Sequence, residues 1–168
     1  LVNCQSPYAA SKAAADQLSL SFYKSFKMPI KILRPFNTYG PRQSNRAIIP
    51  TIISQCLRNK EKVIKLGNTK PTRDLNYIDD ITKAFELVLK SKKMTGEIAN
   101  AGSNSNISIK NLASKIMKIL NLSYKIKNDN KKTRPKLSEV DNLKSDNSKI
   151  TKMTKWKSSI SLDNGLIK

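Results

Sequence analysis

Ser6-Pro7-Tyr8-Ala9-Ala10-Ser11-Lys12, continuing through Ala13, Ala14, Ala15, Asp16 and Gln17, is the stretch around which the chain is organised. Ser6 supplies a capping hydroxyl and Pro7 a residue preset for the first helical position, so a helix starts here. Tyr8 and Lys12 are four residues apart and therefore share one helix face. The alanine run keeps that helix thin, which lets a cofactor or a second helix approach closely. An ammonium one turn from a phenol favours the phenolate, a pairing suited to proton transfer. Taken alone, a Y-x-x-x-K spacing also occurs in ordinary helices, because both residue types are common.

Outward from this stretch the pattern continues in regular units. Leu18, Phe22 and Phe26 recur every four residues, with Leu20 and Tyr23 widening the apolar face, which predicts a helix from Pro7 to Phe26 ended by Met28 and Pro29. Ile30-Lys31-Ile32-Leu33 reads as a short buried parallel strand. Arg34-Pro35-Phe36-Asn37-Thr38-Tyr39-Gly40-Pro41-Arg42-Gln43 reads as a loop, at the strand end where ligands bind in open α/β sheets. A helix over 47–59 follows, with Pro50 in its first turn, then a strand at Val63–Gly67. Glu97–Gly102 reads as strand and turn, Ser108 as the cap of a helix carrying Ile109, Leu112, Ile116, Ile119 and Leu120, and Tyr124–Lys127 as an edge strand.

The combination of S-P-Y-x-x-S-K, R-P-F-N-T-Y-G-P (34–41), T-R-D-L-N-Y-I-D-D (72–80) and R-P-K-L-S-E-V (134–140) resembles the extended short-chain dehydrogenase/reductase family. Its members are NAD-dependent epimerases and dehydratases of nucleotide sugars. The resemblance implies an α/β fold: the C-terminal part of a Rossmann-type doubly wound parallel sheet plus a smaller α/β substrate-binding domain. Residues 1–34 would end the NAD-binding domain, and 35–168 would mainly bind the nucleotide sugar, with about 78–102 returning to the first domain. No G-x-G-x-x-G or G-x-x-G-x-x-G string occurs, so the chain is read as the C-terminal part of a longer enzyme, inactive on its own.

By the same resemblance, Tyr8 and Lys12 are the catalytic pair and contact NAD together with Phe36. Asn37, Ala47, Ile48, Leu66, Arg73 and Arg134 would contact the nucleotide sugar, Arg73 and Arg134 through its diphosphate, since guanidinium donors match phosphate oxygens in pairs. Read locally, Arg73 could instead pair with its neighbour Asp74. Asp79 or Asp80 reads as the cap of the helix over Ile81–Lys90. Lys155 stands before Trp156 where the family usually has glycine, which bears on one helix cap. The string Arg34–Ile53 with Leu66–Asp74 and Asp146–Ile150 looks closest to N-acetyl-hexosamine 4,6-dehydratases of the legionaminic-acid type, a route to cell-surface polysaccharides. A 4-epimerase, a UDP-glucuronate decarboxylase and a non-catalytic sugar-nucleotide-binding remnant are the alternatives. A homodimer through the Tyr8 helix, with Leu18 and Phe22 as contacts, is implied.

Composition narrows the partners. The formal charge is +20, but only six of the 32 basic residues are arginine and no aromatic-interleaved basic stripe accompanies them. No nucleic-acid partner is expected. Histidine is absent, and Cys4 and Cys56 lack a paired-cysteine spacing, so no metal site is assigned. No apolar run approaches the roughly 20 residues needed to span a bilayer, so no membrane partner is assigned and the cytoplasm is the expected compartment.

Overall fold

The computed structural model describes residues 4–58, 60–129 and 139–168. Helix α1 spans Pro7–Phe26, as the capping signals predict. Ser6 is extended (φ −151°, ψ 156°), and its hydroxyl accepts from the Ala9 amide at 3.2 Å. Lys27 closes the helix in the left-handed region (φ 56°), donating its amide to the Tyr23 carbonyl at 3.0 Å. No residue of α1 is buried, and Leu18, Phe22 and Phe26 remain exposed. An ion pair and a close packing contact link it to the rest. Arg34 forms an ion pair with Asp16 at 2.5 Å, and Tyr23 packs on Gly96 so closely that a β-carbon there would collide with its ring.

Strand β1 (Ile32–Pro35) begins two residues later than the apolar run suggests. The Ile30 carbonyl instead accepts from the Gly96 amide at 2.7 Å. Gly96 has φ 77°, a turn conformation that glycine adopts without strain. β1 pairs in parallel with the later strand Ile98–Ala101, in the register Ile32 to Ile98. Against this pair pack α3 (Ile78–Lys90), α5 (Ser148–Thr154) and Trp156. Their buried side chains, among them Ile81, Ala84, Val88, Met94, Ile150 and Trp156, form one apolar cluster.

A second cluster lies beyond it. The 34–43 segment, expected to be loop throughout, contains a strand β2 (Asn37–Tyr39) that pairs in parallel with β5 (Leu75–Tyr77). β3 (Val63–Leu66) pairs in parallel with β8 (Lys125–Asn128), matching the alternation read around Tyr124–Lys127. α2 (Ile48–Arg58), α4 (Ile109–Ile119) and α6 (Leu162–Ile167) close over these strands. Ile52, Ile64, Leu66, Leu112 and Ile116 are buried at their junction. Ser108 caps α4 by accepting from the Asn111 amide at 3.1 Å, as its position predicts. β4 (Thr72–Arg73) is flanked by β7 (Ile107–Ser108) and β9 (Asn142–Leu143), and the Ile98–Ala101 strand is β6. Among the described residues no helix is long and apolar enough to cross a membrane.

Two buried carboxylates tie these parts together. Asp74, fully buried, accepts at Oδ1 from Asn76 Nδ2 (2.9 Å), the Ser103 amide (3.0 Å) and the Ser103 hydroxyl (2.7 Å). Its Oδ2 accepts from the Asn104 amide (3.2 Å), the Ser145 amide (3.0 Å) and the Ser145 hydroxyl (2.6 Å). Asp80 does not cap α3, correcting the expectation: the helix starts at Ile78, with Tyr77 before it making no side-chain cap bond. Instead the Asp80 carboxylate accepts from the hydroxyl and amide of Ser159, the hydroxyl of Ser158 and the Ile160 amide, at 2.7–3.0 Å. Trp156 Nε1 donates to the Asp80 carbonyl at 2.8 Å.

Lys155 occupies the C-terminal cap of α5 with φ 63°, the left-handed conformation that glycine adopts freely. Lys155→Gly should therefore stabilise the protein by about 0.5–1 kcal/mol in chemical denaturation, the order of the left-handed penalty on a β-carbon. Burial alone would raise the Asp74 carboxyl, but hydrogen bonds from Ser145 and Ser103 outweigh it and hold it below its ordinary value. The knot thus contributes fully above the ordinary carboxylate pKa and is lost as pH falls through the depressed folded value. Asp74→Asn places an amide against donors and should cost about 3 kcal/mol. It should also flatten the acid limb of a stability–pH profile; an unchanged acid limb would exclude Asp74 as its source.

Candidate active site

A cavity of about 670 Å³ opens between β2, β3, β4 and the start of α2. Its lining brings together Asn37, Ala47, Ile48, Leu66 and Arg73, five of the residues assigned to the substrate from sequence. They arrive from separate elements for simple reasons. Asn37 opens β2 directly after the β1 strand end, while Ala47 and Ile48 form the entry to α2. The Ala47 amide donates to the Ser44 carbonyl at 2.9 Å and its carbonyl accepts from Thr51 at 3.0 Å, winding the chain into that first turn. Leu66 ends β3, its side chain buried. Arg134 lies outside the described residues.

Arg73 is the cation of this cavity whose partners are most defined. It does not pair with Asp74, because neighbours in an extended chain point to opposite sides and Asp74 faces the buried knot. Its Nη1 donates to the carbonyls of Thr72 (2.8 Å) and Val140 (2.6 Å), and Nη2 donates to Glu139 Oε1 at 2.8 Å. Glu139 also lines the cavity. Sequence reasoning quoted it only as part of R-P-K-L-S-E-V and gave it no role. Gln43 was likewise missed: its Nε2 donates to the Thr38 carbonyl at 2.8 Å, and its buried Oε1 has no donor among the described residues.

Tyr8 and Lys12 lie on α1, outside that lining. Tyr8 is 72% exposed, and the Lys12 ammonium sits over its ring at 5.6 Å from the centroid. The ring and ammonium are thus side by side, as the four-residue spacing requires. Phe36, partly buried, follows β1 and donates its amide to the Ala101 carbonyl at 2.8 Å. A second tyrosine, Tyr39, contrasts with Tyr8. Burial, with Tyr77, Asp80 and Asp163 nearby, pushes its phenol up to about 12. Its hydroxyl remains protonated near neutrality, so Tyr39 is a packing residue, set edge-on to Tyr77 at 5.6 Å.

Parallel strand pairs layered with helices, a tyrosine–lysine helix and a cavity at the strand ends define a Rossmann-type α/β protein of the short-chain dehydrogenase/reductase architecture. More particularly, residues 2–168 match the profile described as GDP-mannose 4,6 dehydratase, and the chain belongs to that family. A dTDP-D-glucose 4,6-dehydratase of Dictyostelium discoideum is 44% identical over 119 residues, covering 71% of this chain and 27% of that protein. The structure of a UDP-glucuronic acid 4-epimerase from Bacillus cereus, in complex with UDP-glucuronic acid and NAD, superposes with a TM-score of 0.88 at 32% identity. That match covers 99% of this chain and 52% of the epimerase. A dTDP-glucose 4,6-dehydratase from Bacillus anthracis in complex with NAD has a TM-score of 0.86 at 26% identity, over 96% of this chain and 50% of that one. The chain spans about half the length of these solved relatives.

Proposed function

We propose that the protein carrying this chain is an NAD-dependent nucleotide-sugar 4,6-dehydratase acting on a nucleotide-linked N-acetyl-hexosamine, as in legionaminic-acid-type synthesis. The observation that carries the reading is the cavity itself. Five residues assigned to the sugar nucleotide from sequence, spread from Asn37 to Arg73, line one space of about 670 Å³. Homology to dTDP-glucose 4,6-dehydratases supports the reaction class. Two separate apolar clusters support a division between a cofactor-binding part, to which 78–102 returns, and a substrate part.

The residues present fit a nicotinamide cofactor. The exposed Tyr8 ring and the Lys12 ammonium beside it leave a phenol and a cation open to a ribose-bearing ligand. NAD, when bound, supplies reversible hydride storage. Lys12 would hold the nicotinamide ribose beside Tyr8. Tyr8 would take the proton of the hexose 4-hydroxyl while the C4 hydrogen leaves as hydride to the cofactor; the resulting 4-keto group would acidify the C5 hydrogen and permit loss of water across C5 and C6, with the stored hydride returned to C6. Phe36 would line the nicotinamide. Asn37 and Arg73, with Arg134, hold the diphosphate, while the Ala47–Ile48 backbone and Leu66 line the nucleotide. A homodimer through α1, cytoplasmic and serving polysaccharide synthesis, completes the reading; the exposed Leu18 and Phe22 are consistent with it.

A 4-epimerase is the second reading, favoured by the Bacillus cereus structure. Both reactions begin with oxidation at C4, so product analysis separates them: a 4-keto-6-deoxy sugar for the dehydratase, a C4 epimer for the alternative. In either case Tyr8→Phe in the full-length enzyme should lower turnover by about 10²–10⁴-fold while leaving nucleotide-sugar affinity nearly intact. Near-normal turnover would remove Tyr8 as the base. Arg73→Ala should weaken nucleoside diphosphate binding by about 1.5–3 kcal/mol, whereas Lys127→Ala, an exposed charge, should cost far less. Equal losses in a calorimetric titration would return the +20 charge as the determinant and remove the site assignment.

A further inference from the structure

Glu139 presents a carboxylate to the very guanidinium assigned to the ligand. Arg73 Nη2 and Glu139 Oε1 are 2.8 Å apart, and the two side chains are only 15% and 14% exposed. A partly desolvated, charge-assisted bond of this length is among the stronger contacts available to either group. The geometry around it is asymmetric. Arg73 Nη1 is occupied by the carbonyls of Thr72 and Val140, fixed backbone groups that a ligand cannot displace without moving β4 or the 139–140 segment. Among the described residues Nη2 is held by a side chain alone, and a side chain can swing away.

The backbone supporting Glu139 is anchored independently of that ion pair. Directly after it, the Asp141 carbonyl accepts from the Thr72 amide at 2.8 Å, and Asn142 and Leu143 pair in parallel with Thr72 and Arg73. Asn142 Oδ1 accepts from the Thr72 hydroxyl at 2.8 Å. The carboxylate can therefore leave Arg73 while its own backbone stays in register.

Resting on the reading of the cavity as a diphosphate site, we infer that Glu139 is a built-in competitor. It occupies the anion position on Arg73 until a ligand carrying more negative charge than one carboxylate displaces it. Its effect is to set a threshold on affinity. A ligand anion binds only where its own contacts repay the broken Arg73–Glu139 pair, and the carboxylate lowers the apparent affinity for diphosphates and monophosphates alike, because only the fraction of molecules with Arg73 released can bind.

The test is calorimetry on the full-length protein with UDP, dTDP and their monophosphates, on Glu139→Gln, Arg73→Ala and the double variant. Glu139→Gln should tighten diphosphate and monophosphate binding by a similar factor, about tenfold, since both need Arg73 released. In the Arg73→Ala background the same change should have little effect, since the competition acts through Arg73. Glu139→Asp withdraws the carboxylate by one methylene while keeping its charge, and should tighten binding less than glutamine does. It also serves where Glu139→Gln fails to fold. Weaker diphosphate binding in Glu139→Gln or Glu139→Asp would overturn the inference, making Glu139 an orienting group for Arg73. An equal gain with and without Arg73 would overturn it too, as a general field effect. If Arg73→Ala alone leaves diphosphate affinity unchanged, the site reading fails instead, so the two failures are distinguishable.

Discussion

The Asp74 carboxylate is the constraint on which the site depends. Three segments far apart in sequence, around residues 74–76, 103–104 and 145, meet on its two oxygens. Among the described residues all of the donors on it are neutral, and converging dipoles stabilise the negative charge. Satisfying that charge fixes β4 and β5 relative to the 102–104 turn, and the adjacent Arg73 is thereby aimed at the cavity. The alternation of the strand converts one buried carboxylate into an outward-facing guanidinium on the next residue.

Asp80 applies the same device at the junction of the two apolar clusters. Its carboxylate gathers the 158–160 segment and its carbonyl takes the Trp156 indole, so the C-terminal chain is led from the first cluster towards the second. Among the described residues neither buried carboxylate is paired with a lysine or arginine. Lysines sit mostly at exposed positions, where water and salt weaken their influence. The large positive charge and the specific chemistry of the cavity are thus largely separate properties of the same chain.

The two chemical centres are placed by different means. Arg73 and its cavity rest on buried strands and polar knots, which hold side chains to narrow positions. Tyr8 and Lys12 rest on a helix with no buried residue, tethered by Asp16 to Arg34 and by Tyr23 against Gly96. Within the helix the spacing of the pair is rigid, so its internal geometry does not require deep burial. Its apolar side chains Leu18, Phe22 and Phe26 stay exposed on this chain, which spans about half the length of its solved relatives.

Local chemistry was legible in the sequence wherever the information lay within a few residues. Ser6 and Pro7 specify the start of α1 and Ser108 that of α4. The four-residue spacing puts Lys12 over Tyr8, and the family resemblance, with glycine where Lys155 stands, pointed to the left-handed cap there. The motif strings also named residues that prove to share one cavity, because their order reflects a common fold. Local pattern could not reveal the strand within 34–43, which exists only because Leu75–Tyr77 lies beside it. Nor could it assign Asp80, read as a cap but used to hold residues nearly 80 positions away. Arg73 shows the division most clearly. Its nearest carboxylate in sequence is Asp74, yet the extended backbone turns that group inward and brings up Glu139, 66 residues distant. Residue types and spacing determined the helices, their caps and the tyrosine–lysine pair; tertiary structure chose the partner of each buried charge, because strand direction and long-range packing decide which polar groups can meet.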